Sequence, residues 1–319
     1  MNSEIIRFIG QSIVLFFVPL LIVGLGDLVC ERSGVLNMCL EGIMILGAFF
    51  GLLVVRQLEG KVSSGLLLFL ACIASMVSGM AITFFHAFAA INLKADQTIS
   101  ATGVNTFAAA FCMLISKTIF GTDNFHFNNN FRIAKVPLLG DIPIIGPLLF
   151  QGCYVTTFVG FALIVIVWFV LYKTKFGLQL RSVGENPQAS DSVGISVYKM
   201  RYIGTLVSGA LAGLGGLIFI FTTSTNYYAN VAGYGYLALS VVSFGQWNPK
   251  GIVLGTLFFS IMKTLGSAYS SIPFLVKLGI PSNYFKMLPY VATLVVLALT
   301  PNSNNAPADS GNPYDKGKR

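Results

Sequence analysis

The feature that most limits the fold of this 319-residue chain is the recurrence of apolar runs about 20 residues long, the length of helix that crosses a hydrocarbon core. They lie near residues 8–29, 35–55, 62–91, 98–119, 152–172, 202–222, 252–272 and 285–300. Within hydrocarbon every backbone N–H and C=O needs a partner inside the protein, and a helix supplies these internally. The expected fold class is therefore all-α: a polytopic membrane helix bundle of about 8–9 spans with interrupted or short helices. The shorter run Gly233 to Trp247 fits either a tilted span or a re-entrant piece buried in protein.

With 55% hydrophobic and 10% charged residues, the composition excludes an ordinary soluble domain. One membrane domain is expected over residues 1–300, followed by a tail, 301–319, whose Asn, Pro, Ser and charge predict poor order. The net charge of +8 is scattered between apolar runs, which argues against nucleic acid and for a role in setting orientation against membrane lipid. Residues 8–30 are read as a mature span, because the run is long, its small-residue cleavage pattern is weak and further spans follow immediately. Five single cysteines with no CxxC pair read as packing residues.

Two connections stand out. Lys173 to Arg201 is polar and carries Lys173, Lys175, Arg181, Lys199 and Arg201, so it is expected on the cytoplasmic side. If each run crosses, the N-terminus is then outside and the C-terminus inside. Gly121 to Gln151 becomes an external loop, broken by Pro137, Pro143 and Pro147. It is expected to lie ordered on the outer face, either docking an extracytoplasmic partner or only capping the bundle.

Motifs for chemistry on this chain are missing. There is no GxxxxGK[ST], HExxH, GxSxG or zinc pattern, and no cofactor or metal is expected. His86 and His126 read as packing or surface residues. Inside the central loop, Asn186 and Pro187 form a good helix start and Gly194 a natural stop. PQASDSV between them predicts a helix of about two turns flanked by Glu185 and Asp191. Glu41 and Lys263 are charged residues within apolar runs. The readings open for them are a place on a translocation path, a buried pair that fixes helix packing, or a helix-end carboxylate that caps or reaches water beside a snorkelling lysine. Asn37, near Gly34 and Gly42, suggests an interrupted helix of the kind that lines transporter paths. Asn105 is a further candidate, though such residues also simply bond neighbouring helices. Gly209xxxGly213, Gly47xxxGly51 and Gly251xxxGly255 predict close helix approach.

Several blocks carry a resemblance: ERSGVLNMCLEGIMILGAFFG (31–51), LKADQTISATGVN (93–105), FGLQLRSVGENPQASDSVGISVYKMRY (176–202), SGALAGLGG (208–216), FGQWNPKG (244–251) and a closing NPY. In this order, over nearly the whole chain, they resemble the permease subunits of binding-protein-dependent ABC importers, in the branched-chain amino acid, ribose and nucleoside branch. The 93–105 block and NPY look most like the nucleoside type. Ala101 and Gln246 stand where glycines are expected in relatives, which blurs the cargo. The resemblance implies a non-enzymatic transmembrane subunit in a bacterial cytoplasmic (inner) membrane. It implies partners too: ABC ATPase subunits, a second and homologous permease, and an extracytoplasmic substrate-binding lipoprotein that delivers a small-molecule solute. It places ATPase coupling on Gly184, Glu185, Asn186, Pro187, Ala189, Asp191 and Gly194. The expected activity is ATP-driven import of a nucleoside-like solute along a path near Asn37, Glu41, Asn105 and Lys263. The alternatives are riboflavin or a simple sugar such as ribose and, from another class, an ATPase-independent carrier or channel.

Overall fold

Ser3–Glu31, an almost unbroken apolar stretch, forms the first helix, α1, and its second half is buried on every side. A computed structural model describes residues 3–128, 131–136, 146, 151–269, 281–299 and 305–317. The other helices are α2 (Leu40–Leu58), α3 (Ser64–Ile91), α4 (Gln97–Phe120), α5 (Val155–Lys173), α6 (Lys175–Glu185), α7 (Pro187–Ser192), α8 (Val197–Thr223), α9 (Tyr234–Phe244), α10 (Pro249–Ser267) and α11 (Ser282–Leu299). Among the described residues, six are long and apolar enough to cross a membrane: α1 from Arg7, α2, α3, α4, α5 and α8. The all-α membrane bundle expected from hydropathy is the fold observed.

Burial sorts these helices into two shells. α1, α2 and α8 are largely apolar, mostly buried, and form the centre. α4 and α5 are equally apolar but lie at the rim, leaving Ile99 74% and Val165 63% exposed. A helix that is apolar on an unburied face needs lipid or another membrane subunit against it.

Glycine sets how closely the centre packs. A Cβ on Gly47 of α2 would run into the backbone of Gly213 of α8, and one on Gly213 would run into the Ser75 carbonyl of α3, so glycine at these positions lets the three helices meet backbone to backbone. The spacing read from Gly209xxxGly213 and Gly47xxxGly51 is thus used as expected.

Helix starts follow local chemistry. Asp96 caps α4 through the N–H groups of Thr98 and Ile99, at 2.8 and 3.0 Å. Asn248 caps α10 ahead of Pro249 by accepting from Lys250 N, the same Asn-Pro device that opens α7.

Two small antiparallel ribbons cover the end of the bundle away from α6 and α7. β1 (Asn124–His126) pairs with β4 (Asn226–Tyr228), and β2 (Arg132–Lys135) pairs with β3 (Gln151–Tyr154). The 121–151 connection is ordered over these described parts; Pro137, Pro143 and Pro147 lie outside the described residues.

Three expectations need correcting. The 173–201 loop holds a helix the sequence reading did not place, α6, ahead of the predicted α7. The run at 35–55 becomes helical only from Leu40, because residues 35–37 have no regular secondary structure and 38–39 form a turn. Residues 305–317, expected to be poorly ordered, lie against the α6–α7 end of the bundle and bury Tyr314. Backbone and side-chain bonds to distant helices give that polar segment the partners that composition alone cannot reveal.

Candidate functional site

Two regions collect the residues singled out by sequence. The first is the α6–α7 end. Asn186 accepts from Ala189 N at 2.9 Å, Pro187 occupies the first turn, and Gly194, at φ +85°, ends the helix with its N–H on Asp191 O. The capped helix therefore forms as its residues predicted. Gln188 and Ala189 point outward, and Val193 is 75% exposed at a surface where a buried partner would be expected for it. Beside them runs a groove of about 750 Å³ lined by Lys175, Gln179, Ser182, Glu185, Ala189 and Val193.

Not all of the predicted residues face outward. Gly184 is buried against the Arg32 carbonyl and Gly34, where no side chain would fit. Glu185 approaches Arg32 at 3.6 Å, and Arg32 donates to Trp247 O at 2.8 Å. Trp247 in turn donates its indole N–H to Glu31. This end of the bundle thus ties the α6–α7 corner to the FGQWNPKG turn.

The second region lies inside. Beyond Arg32 the chain turns back into the bundle as a non-helical segment, and Asn37 donates to Ser208 Oγ, in the middle third of α8, at 2.9 Å. α2 therefore starts within the bundle. Non-helical backbone at this depth is tolerable only with protein partners, and the sequence provides them. Leu36 N donates to Gln97 Oε1 at 2.7 Å and Leu36 O accepts from His86 Nε2 at 3.0 Å. A carbonyl only accepts, so His86 carries its proton on Nε2, leaving Nδ1 to accept from Ser100.

α9 approaches the same place from the opposite end. After β4 the chain descends to Gly233, and α9 runs about 16 Å, half a bilayer core, down to the Trp247 turn. The ambiguous 233–247 run is therefore a half-helix. Its start meets the start of α2: Gly235 lies so close to the backbone of Leu40 and Glu41 that a Cβ there would collide. Glu41 resolves the junction chemically, its carboxylate accepting from Gly233 N at 2.9 Å and Gly235 N at 2.8 Å. A carboxylate at two converging helix N-termini is favoured by both sets of free N–H groups.

Asn105 stitches the starts of α2 and α9 together. It accepts from Gly42 N at 2.8 Å and donates to Met38 O at 3.0 Å and to Tyr236 Oη at 3.2 Å. Lys263 reaches in from α10, its Nζ 5.3 Å from the Tyr234 ring centroid. Glu41, Asn105 and Lys263, distant in sequence, converge on residues 233–236. Asn37 lies off this cluster, fully buried against α8. The reading of the residues missed Tyr234, Tyr236 and the flanking glycines, although GYGY at 233–236 was a visible signal of close backbone approach.

Discontinuous helices meeting N-terminus to N-terminus inside a membrane bundle belong to transport proteins. The family of branched-chain amino acid transport system / permease components matches residues 10–297. The chain belongs to this family. The permease is 39% identical over 99% of both chains to the guanosine ABC transporter permease protein NupQ of Bacillus subtilis. It is 36% identical over 98% of both to the nucleoside ABC transporter permease protein NupC of Lactococcus lactis. A putative glucose ABC transporter permease protein of Haloferax volcanii is 32% identical over 77% of the permease and 73% of its own length. No solved structure matches the permease. Its spans and family make it a multi-pass membrane protein.

Proposed function

We propose that this chain is the permease subunit of an ATP-driven importer for nucleosides in a bacterial cytoplasmic membrane. Its similarity along the full chain to permeases named for guanosine and nucleosides carries this reading. The lower and shorter similarity to the glucose permease makes sugar the weaker cargo. The helix junction supports a path there: Tyr236 and Tyr290, the latter with its hydroxyl beside Gly233, offer half-exposed rings to a flat base next to the Glu41–Asn105 junction.

In this reading ATP is hydrolysed by partner subunits, which dock in the groove beside α7 and move it. Asn186, Pro187 and Gly194 shape that helix, while Ala189, Asp191 and Glu185 present its surface. A second permease covers the apolar rim faces, and a lipoprotein delivers cargo at the β-ribbon end. The basic residues Arg32, Lys94, Lys173, Lys175 and Lys250 gather at the α6–α7 end, which supports that end as cytoplasmic, with the N-terminus outside and the C-terminus inside.

The test is uptake into proteoliposomes holding this chain with its cognate permease, ATPase and lipoprotein. Uptake of radiolabelled guanosine should require ATP and the lipoprotein, and be displaced by adenosine but not by riboflavin, ribose or glucose. Uptake by this chain alone without ATP would replace the reading with a carrier, and displacement by riboflavin or ribose would move the cargo.

A further inference from the structure

Arg201, in the second turn of α8, is the largest fully buried side chain among the described residues, 1% exposed. Burying a guanidinium is tolerable only with close, well-directed partners. Its partners come from the far end of the chain: Nη2 lies 2.7 Å from Asp309 Oδ2, and Nη1 donates to Asn312 O at 2.8 Å. Held there, residues 305–317 run across the α6–α7 end as a strap.

The strap touches both halves of the machinery described above. Toward the α6–α7 corner, Asp309 N donates to Gly184 O at 3.0 Å, Ala308 N to Glu185 Oε2 at 3.3 Å, and Lys316 lies 3.9 Å from Asp191 of α7. Toward the interior, Gly311 N donates to Gly34 O at 3.2 Å, and Gly311 O accepts from Gln97 Nε2 at 3.3 Å. Gln97 is the residue whose other amide atom holds Leu36 N, at the entry to the interrupted segment that leads to Glu41. A continuous set of bonded groups therefore joins the α6–α7 corner, through the strap and Gln97, to Leu36 in the segment that leads into α2. Tyr314 closes the strap against Val183, Val197 and the Tyr198 ring.

We infer that Arg201 is a positioning residue for transport: by fixing the strap through Asp309 and Asn312, it makes movement of α7 reach the interrupted segment between α1 and α2. The inference rests on the ATP-driven transport reading. A strap that served stability alone would, when removed, lower ATP hydrolysis and uptake together. A strap that transmits movement should separate them.

The assembled importer in proteoliposomes tests this with Asp309→Asn, Asp309→Glu and a chain ending at Asn305. Hydrolysis by complexes of equal subunit content should stay within about twofold of wild type while uptake per ATP falls about tenfold for Asp309→Asn and the truncation, the size of an ordinary coupling energy. Asp309→Glu keeps a carboxylate and should recover most of the uptake. A second readout needs no knowledge of cargo: Thr106→Cys, exposed on α4 beside Asn105, should change its maleimide labelling rate on ATP-vanadate trapping in the intact chain and not in the truncated one. Unchanged uptake per ATP, a parallel loss of hydrolysis and uptake, or ATP-responsive labelling without the strap would each overturn the inference. Absence of guanosine uptake in the wild-type complex, with ATP-responsive labelling intact and strap-dependent, would instead overturn the nucleoside reading alone.

Discussion

Glu41 shows how much one side chain can hold at a backbone discontinuity. Its two oxygens satisfy Gly233 N and Gly235 N, groups that have no helical partner because α9 begins there. Glu41→Ala would orphan both donors, at about 1–3 kcal/mol each. The unfolding midpoint in detergent should fall clearly, and an Ala variant as stable as wild type would remove this account of the junction. Glu41→Gln keeps one acceptor and turns an amide N–H₂ toward a donor, so it should fall between the two. That Glu41 was worth singling out was legible from its charge in an apolar run. Its partners were not, since Gly233 and Gly235 lie far along the chain and offer only backbone.

At the scale of elements, close approach and capping make separable predictions. Gly47→Ala puts a methyl group into the α8 backbone and should cost about 1–3 kcal/mol or more, because a packed core accommodates added volume poorly. Gly65→Ala, where nothing lies near, should be neutral or slightly stabilising through helix propensity alone. Thermal unfolding of the two variants side by side measures the difference. On α7, Ala189→Trp should abolish uptake while leaving expression and unfolding unchanged, since Ala189 faces outward beside the groove. Normal uptake by that variant would count against docking there. Glu185 is the poorer probe, because its contacts with Arg32 and Ala308 belong to the bundle itself. α7 was readable because its signals are local: Asn186 and Pro187 start it and Gly194 stops it within one short stretch. α9 was only half readable, since a run of its length suits several depths and only the contacts of its two ends assign one.

For the whole molecule, the two ends of the bundle should face different compartments. Cysteines placed at Lys250, beside the Trp247 turn, and at Asp123, beside β1, should react with a membrane-impermeant maleimide from opposite sides of a sealed vesicle. Labelling of both from one side would overturn the orientation. The sequence by itself determined the fold class, the apolar helices, the glycine faces and the capped helix α7. Each depends on hydropathy or on residues a few positions apart, where physical chemistry acts along the chain. Only the tertiary structure decided that α2 and α9 start against one another, that Glu41, Asn105 and Lys263 converge on residues 233–236, and that residues 305–317 form an ordered strap on Arg201. Those arrangements rest on hydrogen bonds and ion pairs between residues up to nearly three hundred positions apart, Gly311 to Gly34 the widest of them, and a polar side chain does not announce in its own neighbourhood which distant backbone group will satisfy it.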